Sequence, residues 1–258
     1  MSVQLIIPMS GLGQRFVNQG YSDLKPLINV HGKPMIAWVL RMFPKANSPI
    51  FICRNDHLKN TKMRQILDKY CHDGKVIGID GAKLGPVGAL ISAFESINDD
   101  DPVIVSYCDY YMKWEYSTFL RFVEDKNYDG AIPCYTGFHP NLLPENNLYA
   151  SCRINGTGEL LEIREKFSFN SDKTKSLHSP GVYFFKSGKI LKHYCEKLVE
   201  CGESLGGEYY VSLVYKMMLL DDLKIGATAN VQQFCQWGTP YDLEEYLYWT
   251  NCIIGKNK

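Results

Sequence analysis

Gly11, Gly13, Arg15 and Lys25 are spaced as a chain would space them to receive a polyphosphate. Glycine removes the Cβ atoms that hold a ligand off the backbone and permits positive φ, so successive N–H groups can converge on an anion. Arg15 adds a planar fork of donors and Lys25 a mobile point charge, both suited to phosphoryl oxygens. Pro8, Ser10 and Leu12 fall in or beside the same loop, and Val30-His31-Gly32-Lys33-Pro34-Met35 follows it with another cation. Further on, Asp109 closes the apolar run Val103 to Cys108. A carboxylate there is placed to hold Mg²⁺, which takes one or two carboxylates together with substrate phosphates, although an aspartate capping a turn fits the same local sequence. Glu165-Lys166 ends an amphipathic run, where a surface ion pair is the ordinary reading.

Several nucleotide-binding patterns are excluded by particular residues. The dinucleotide fingerprint G-x-G-x-x-G requires glycine where the chain has Phe16, and no G-K-[ST] closes the turn as a P-loop demands. The Asp-x-Asp of a glycosyltransferase is missing, since Tyr110 and Tyr111 follow Asp109. Asp99-Asp100-Asp101 is more acidic but precedes its strand, at the end away from the loop, and reads as a solvated turn.

The elements that must position these groups alternate. Short apolar runs predict strands over residues 3–7, 50–53, 76–80 and 103–108, with Pro8 expected to end the first ladder. Segments of helical period lie between them at 34–43, 57–70 and 86–97. This is the β-α-β order of a parallel sheet covered on both faces, whose ligands bind beyond the carboxyl ends of the strands. After Gly130 the texture changes to strands at 131–135, 149–154 and 160–166, read as an extension of the sheet. Helices at 189–200 and 208–220, a strand at 224–229 and a last helix from Pro240 complete the chain.

The 258 residues can bury one sizeable α/β core, and 28 basic against 28 acidic residues give no global field for nucleic acid or an anionic membrane. The nine cysteines include no C-x-x-C pair, which fits free thiols in a reducing compartment rather than a disulfide scaffold or zinc site. No apolar run is long enough to span a bilayer and the start lacks signal-peptide character, so cytoplasmic residence is expected.

The run IIPMSGLGQRF…LKPLINVHGKPMIAWV resembles the signature of nucleotidyltransferases that activate phosphorylated sugars and related small molecules in capsule and surface-glycan pathways. The likeness continues through Gly85-Pro86-Val87-Gly88-Ala89, Cys108-Asp109, Glu165-Lys166, Gly181-Val182-Tyr183-Phe184-Phe185, Gly207-Glu208-Tyr209-Tyr210 and Gly238-Thr239-Pro240-Tyr241-Asp242-Leu243. It implies one domain over residues 1–258 with a Rossmann-like, GT-A-like α/β fold, a mixed, mainly parallel sheet flanked by helices. Residues 1–130 would form the nucleotide half and 131–258 the acceptor half. Arg15, Lys25 and Lys166 would be catalytic; Pro8, Ser10, Gly11, Leu12, Gly13, Pro86 and Gly88 would receive the nucleotide; Glu165 and Gly181 would receive the acceptor. Asp109 would ligate Mg²⁺ or Mn²⁺. The family's second metal aspartate is replaced by Gln236, which offers a neutral carbonyl oxygen and no charge.

The implied reaction transfers NMP from an NTP, CTP being favoured, to a phosphorylated small molecule such as a sugar 1-phosphate, releasing pyrophosphate. A cytidylyltransferase with a non-sugar acceptor, such as phosphoglutamine, is the close alternative, and a non-catalytic nucleotide-sugar-binding regulator is the alternative of another class. Many relatives assemble, so a homo-oligomer is compatible, but no heptad or apolar pattern specifies one.

Overall fold

The first strand shows why a sheet forms here. Leu5 and Ile7 face one side of the strand Gln4–Met9 and Ile6 the other, and all three are buried. Such a strand satisfies its side chains only in the middle of a covered sheet. A computed structural model, describing residues 2–44, 46–81 and 84–254, places it there. The seven-stranded sheet runs in the order Ile225–Thr228, Gly130–Pro133, Val182–Phe185, Val103–Ser106, Gln4–Met9, Asn47–Arg54 and Lys75–Ile79. Neighbours are parallel except Val182–Phe185, which runs antiparallel to the strands on both its sides. The sheet is thus mixed and mainly parallel.

Helices cover both faces. Gly85–Ile91, Gly188–Cys201 and Val211–Leu220 pack on one, and Met35–Arg41, Met63–Tyr70 and Tyr116–Lys126 on the other. Ala227 and Tyr183 join the first core while Ala131 and Phe184 join the second, so alternation along the strands feeds both layers.

Three expectations are corrected, and one pairing was not anticipated. Pro8 does not end the first strand: it pairs with Ile52 and the strand continues to Met9. The ladder toward Val103–Ser106 already stops at Ile6, and proline is tolerated beside such a free edge. The helix expected over 57–70 is two, Asn55–Asn60 and Met63–Tyr70. Thr61 breaks it in extended backbone, its hydroxyl donating to the His57 carbonyl at 2.7 Å and accepting from Met63 N–H at 3.2 Å. The strands after Gly130 do not all extend the sheet. Ser151–Ile154 and Leu160–Arg164 form a separate three-stranded sheet with Leu177–His178, a grouping set by pairing and hidden from local pattern. Finally, Tyr110–Trp114 and Val231–Gln236 make an antiparallel ribbon that the sequence did not reveal, its strands being far apart in the chain.

Candidate active site

The chain leaves the first strand at its carboxyl end and turns through Gly11 to Gly13. Gly13 is left-handed, at φ 64°, and a Cβ there would stand 3.3 Å from the Lys25 Cβ. Glycine therefore lets the loop lie against the second cation. A Cβ on Gly11 would meet no protein atom within 4 Å, since that position opens on the cavity. Among the described residues the N–H groups of Gly11, Leu12 and Gly13 have no hydrogen-bond partner, so they remain available to a ligand. The short helix Gln14–Asn18 follows, with Phe16 buried as its anchor and Arg15 directed to the cavity wall. Phe16 supplies the packing at the place where a dinucleotide site would need glycine.

Lys25 begins the 3₁₀ turn Lys25–Leu27, whose Pro26 and Leu27 are buried. Its ammonium lies 5.6 Å from the Phe16 ring centre and 2.5 Å from Asp109 Oδ2. Asp109 stands between the strand Val103–Ser106 and the ribbon strand Tyr110–Trp114, and its carbonyl accepts from Trp237 N–H at 3.1 Å. Both charged side chains are partly exposed, so each can exchange its present partner for a phosphate or a cation.

These groups surround one cavity of about 590 Å³, a size in the range of small-molecule sites. Pro8, Ser10, Gly11, Leu12, Gly13, Arg15, Lys25, Pro86 and Asp109 all line it. Gly88 does not: it is buried inside the helix Gly85–Ile91, where its carbonyl accepts from the Ser92 hydroxyl at 3.0 Å.

The acceptor candidates approach from one side. Lys166 has φ 51°, a left-handed conformation uncommon outside glycine, and its ammonium lies 3.4 Å from the Tyr210 hydroxyl and 5.1 Å from the Tyr210 ring centre. Tyr210 lines the cavity, whereas Lys166 stands behind it. The neighbouring Glu165 opens on a separate groove and accepts from the Ser212 hydroxyl. Burial raises the Glu165 carboxyl above its ordinary pKa, with Ser212 and then Lys166 pulling it down less strongly. Gly181 touches the cavity only through Tyr107. At φ 99° it leaves room for that ring, since a Cβ would come within 2.8 Å of it.

Arg54, Tyr107, Glu208 and Tyr210 are among the lining residues to which sequence reasoning gave no role. Glu208 and Tyr210 were expected within a helix, but that helix begins only at Val211. Instead Tyr209 N–H donates to the Leu84 carbonyl and Val87 N–H to the Tyr209 carbonyl, both at 3.1 Å, stapling this segment beside Gly85-Pro86. Glu208 accepts from the Tyr210 hydroxyl at 2.6 Å. Burial, then the Glu208 bond and charge, raise the Tyr210 phenol, while Arg15 acts in the opposite direction. The legible signals were the paired glycines at 206–207 and, for Arg54, its place at a strand's carboxyl end.

The residues fit a hard divalent cation in a limited way. Among the described residues no group of three His, Cys, Asp or Glu could hold a metal, so a cage of protein ligands is not offered. Asp109 gives a carboxylate on the cavity wall, and Gln236, paired with Tyr110 next to it, has a buried Oε1 with no hydrogen-bond partner. Asp109 thus offers Mg²⁺ one carboxylate on the cavity wall, the ion relying on substrate phosphates and water for its remaining positions, while the Gln236 amide is buried and does not line the cavity.

Residues 5–168 match the family of MobA-like NTP transferase domains. The chain belongs to that family. This NTP transferase is a nucleotidyltransferase by family, and its fold agrees with those of solved structures. The nucleoside-diphosphate-sugar pyrophosphorylase from Vibrio cholerae RC9 is similar with a TM-score of 0.74 at 17% identity, over 95% of this chain and 99% of that one. The inositol-1-phosphate CTP transferase from T. maritima is similar with a TM-score of 0.71 at 12% identity, over 96% of each chain. A UTP-bound UGPase from Acinetobacter baumannii gives 0.67 at 16%, over 99% of this chain and 95% of that one. At these identities the likeness is one of fold. No curated protein matches the sequence. No helix of the described NTP transferase is long and apolar enough to cross a membrane.

Proposed function

We propose that this NTP transferase binds a nucleoside triphosphate in the cavity and moves its nucleotidyl group to a phosphorylated small molecule, a sugar 1-phosphate in the first instance. The carrying observation is that Arg15, Lys25 and Asp109 converge on a glycine loop with free amides at one end of a 590 Å³ cavity. The fold neighbours named for nucleoside-diphosphate sugars and for inositol 1-phosphate support a phosphate monoester as the acceptor. The reading extends to CTP as donor, Mg²⁺ as cofactor and capsule or surface-glycan precursors as destination.

A phosphate monoester has a second pKa of about 6, so at neutral pH it is already largely dianionic and needs no catalytic base. An acceptor oxygen forms a bond to the α-phosphorus as the bond from that phosphorus to the bridging β-oxygen breaks, and pyrophosphate leaves with the electron pair. Free amides at Gly11 to Gly13 hold the triphosphate, Arg15 and Lys25 neutralise charge as it shifts, and Lys166 draws the acceptor phosphate toward Tyr210. Asp109 would hold Mg²⁺, which would supply additional charge neutralisation to the phosphates. Positioning and electrostatics are the whole task, because two polyanions must be brought together in line.

The test incubates the protein with Mg²⁺, each of the common NTPs and a panel of phosphate monoesters that includes sugar 1-phosphates, an inositol phosphate and phosphoglutamine, following pyrophosphate. Release matched by an NMP-linked product supports the reading. Nucleotide binding without turnover for any pair contradicts it and favours a sensor.

A further inference from the structure

Arg54 is a cation on the cavity wall that the transfer chemistry leaves unused. It ends the strand Asn47–Arg54, which lies on the opposite side of Gln4–Met9 from Val103–Ser106, the strand that leads to Asp109. The glycine loop therefore stands between two charged ends: Lys25 with Asp109 toward one side, Arg54 toward the other. If the phosphates lie at the first, the opposite end is where a nucleoside extends.

The Arg54 guanidinium is oriented. Its Nε and Nη2 donate to Oδ1 and Oδ2 of Asp56, both at 2.9 Å, and this two-point clasp fixes its plane. A guanidinium held on its Nε–Nη2 side turns its Nη1–Nη2 edge outward, with one N–H from each nitrogen running parallel. Among the described residues no hydrogen bond is made by Nη1. Gly81 puts no side chain on that edge, where a Cβ would stand 2.8 Å from Nη1. An arginine serving only as a surface ion pair needs neither the clearance nor a position on the substrate cavity.

We propose that Arg54 reads the nucleobase, its open edge donating two parallel hydrogen bonds to two adjacent acceptors. This rests on the nucleotidyltransferase reading and deepens it to a base class. Adjacent acceptors occur at N3 and O2 of cytosine and at O6 and N7 of guanine. Uracil carries a proton on N3, between its carbonyls, and adenine sets an amino group beside each candidate ring nitrogen. The site thus takes CTP or GTP in preference to UTP or ATP.

Calorimetric titration of CTP, GTP, UTP and ATP in Mg²⁺ buffer tests this on the intact chain, for the wild type, Arg54→Gln and Arg54→Lys. The wild type is expected to bind CTP, GTP or both roughly 5- to 150-fold more tightly than UTP and ATP, the range of one bidentate base contact. The CTP and GTP arms identify which base supplies the acceptor pair. Arg54→Gln should retain triphosphate binding and lose most of that preference; Arg54→Lys, which keeps the charge without the fork, should lose it too. Equal binding of all four, or a preference that survives in both variants, overturns the role of Arg54 and leaves the nucleotidyltransferase reading standing. Absence of binding by any NTP overturns both.

Discussion

Lys166 and Glu165 are neighbours in sequence with opposite environments, and each makes a separate prediction. Lys166 lies against Tyr210, behind the cavity wall, so Lys166→Ala should raise the KM for the acceptor while leaving NTP binding nearly unchanged. An unchanged acceptor KM would remove Lys166 from the site. Glu165 is half-buried, and its raised pKa means that the folded chain holds this proton to higher pH than the unfolded chain, whose ordinary value is 4.5. The folded state then binds more protons as pH rises from about that value, and stability falls with rising pH. Glu165→Gln cannot titrate there, so the urea midpoint of the wild type, taken relative to that of the variant at each pH, should fall as pH rises from 4 to 7. Identical profiles would contradict the assignment. At this scale the sequence was most informative where chemistry is local: the glycines, Arg15, Lys25 and Asp109 could be read from type and order. Gly88 could not, because helix geometry turns it inward, and Arg54 offered only its place at a strand's carboxyl end, its clasp by Asp56 being visible in the structure alone.

The loop from Gly11 to Gly13 shows how an element divides stability from function. Gly11→Ala adds a methyl group that meets no protein atom within 4 Å and projects where the cavity opens. That variant should melt at the wild-type temperature yet bind NTP more weakly, by about tenfold. Gly13→Ala instead forces alanine into a left-handed conformation against Lys25, costing about 1 kcal/mol of stability as well as activity. Thermal melts beside nucleotide titrations separate the two, and equal effects would show that the loop does not face the ligand as described. The wound half of the sheet was legible because each buried strand announces itself as a continuous apolar run. The ribbon of Tyr110–Trp114 with Val231–Gln236 was not, since its partners are remote in the chain and neither strand has an adjacent turn to mark it. Yet that ribbon brings Asp109 beside Gln236 and Trp237, so part of the site was hidden with it.

The whole molecule carries a pH signature of burial. His57, His139 and His178 all have depressed pKa values, burial being the largest cause for each. The unfolded chain binds protons at these groups below about pH 6.5 that the folded chain refuses, so stability is retained above that value and lost as pH falls. Glu165 works in the opposite sense, and the Glu165→Gln background isolates the histidines: its urea midpoint should be lower at pH 5.5 than at pH 7, and equal midpoints would contradict the account. The two cores, one on each face of the seven-stranded sheet, hold the strand ends that carry Gly11, Arg54 and Asp109 on one side of the molecule, and there the central claim can be tested most directly. With an NTP and acceptor that the wild type turns over, single-turnover pyrophosphate release is compared between wild type and Asp109→Ala, with folding verified by thermal melts. A fold unchanged in the variant with a rate about 10²-fold lower or more is the predicted result. A folded Asp109→Ala protein releasing pyrophosphate at the wild-type rate would show that transfer does not take place at this site.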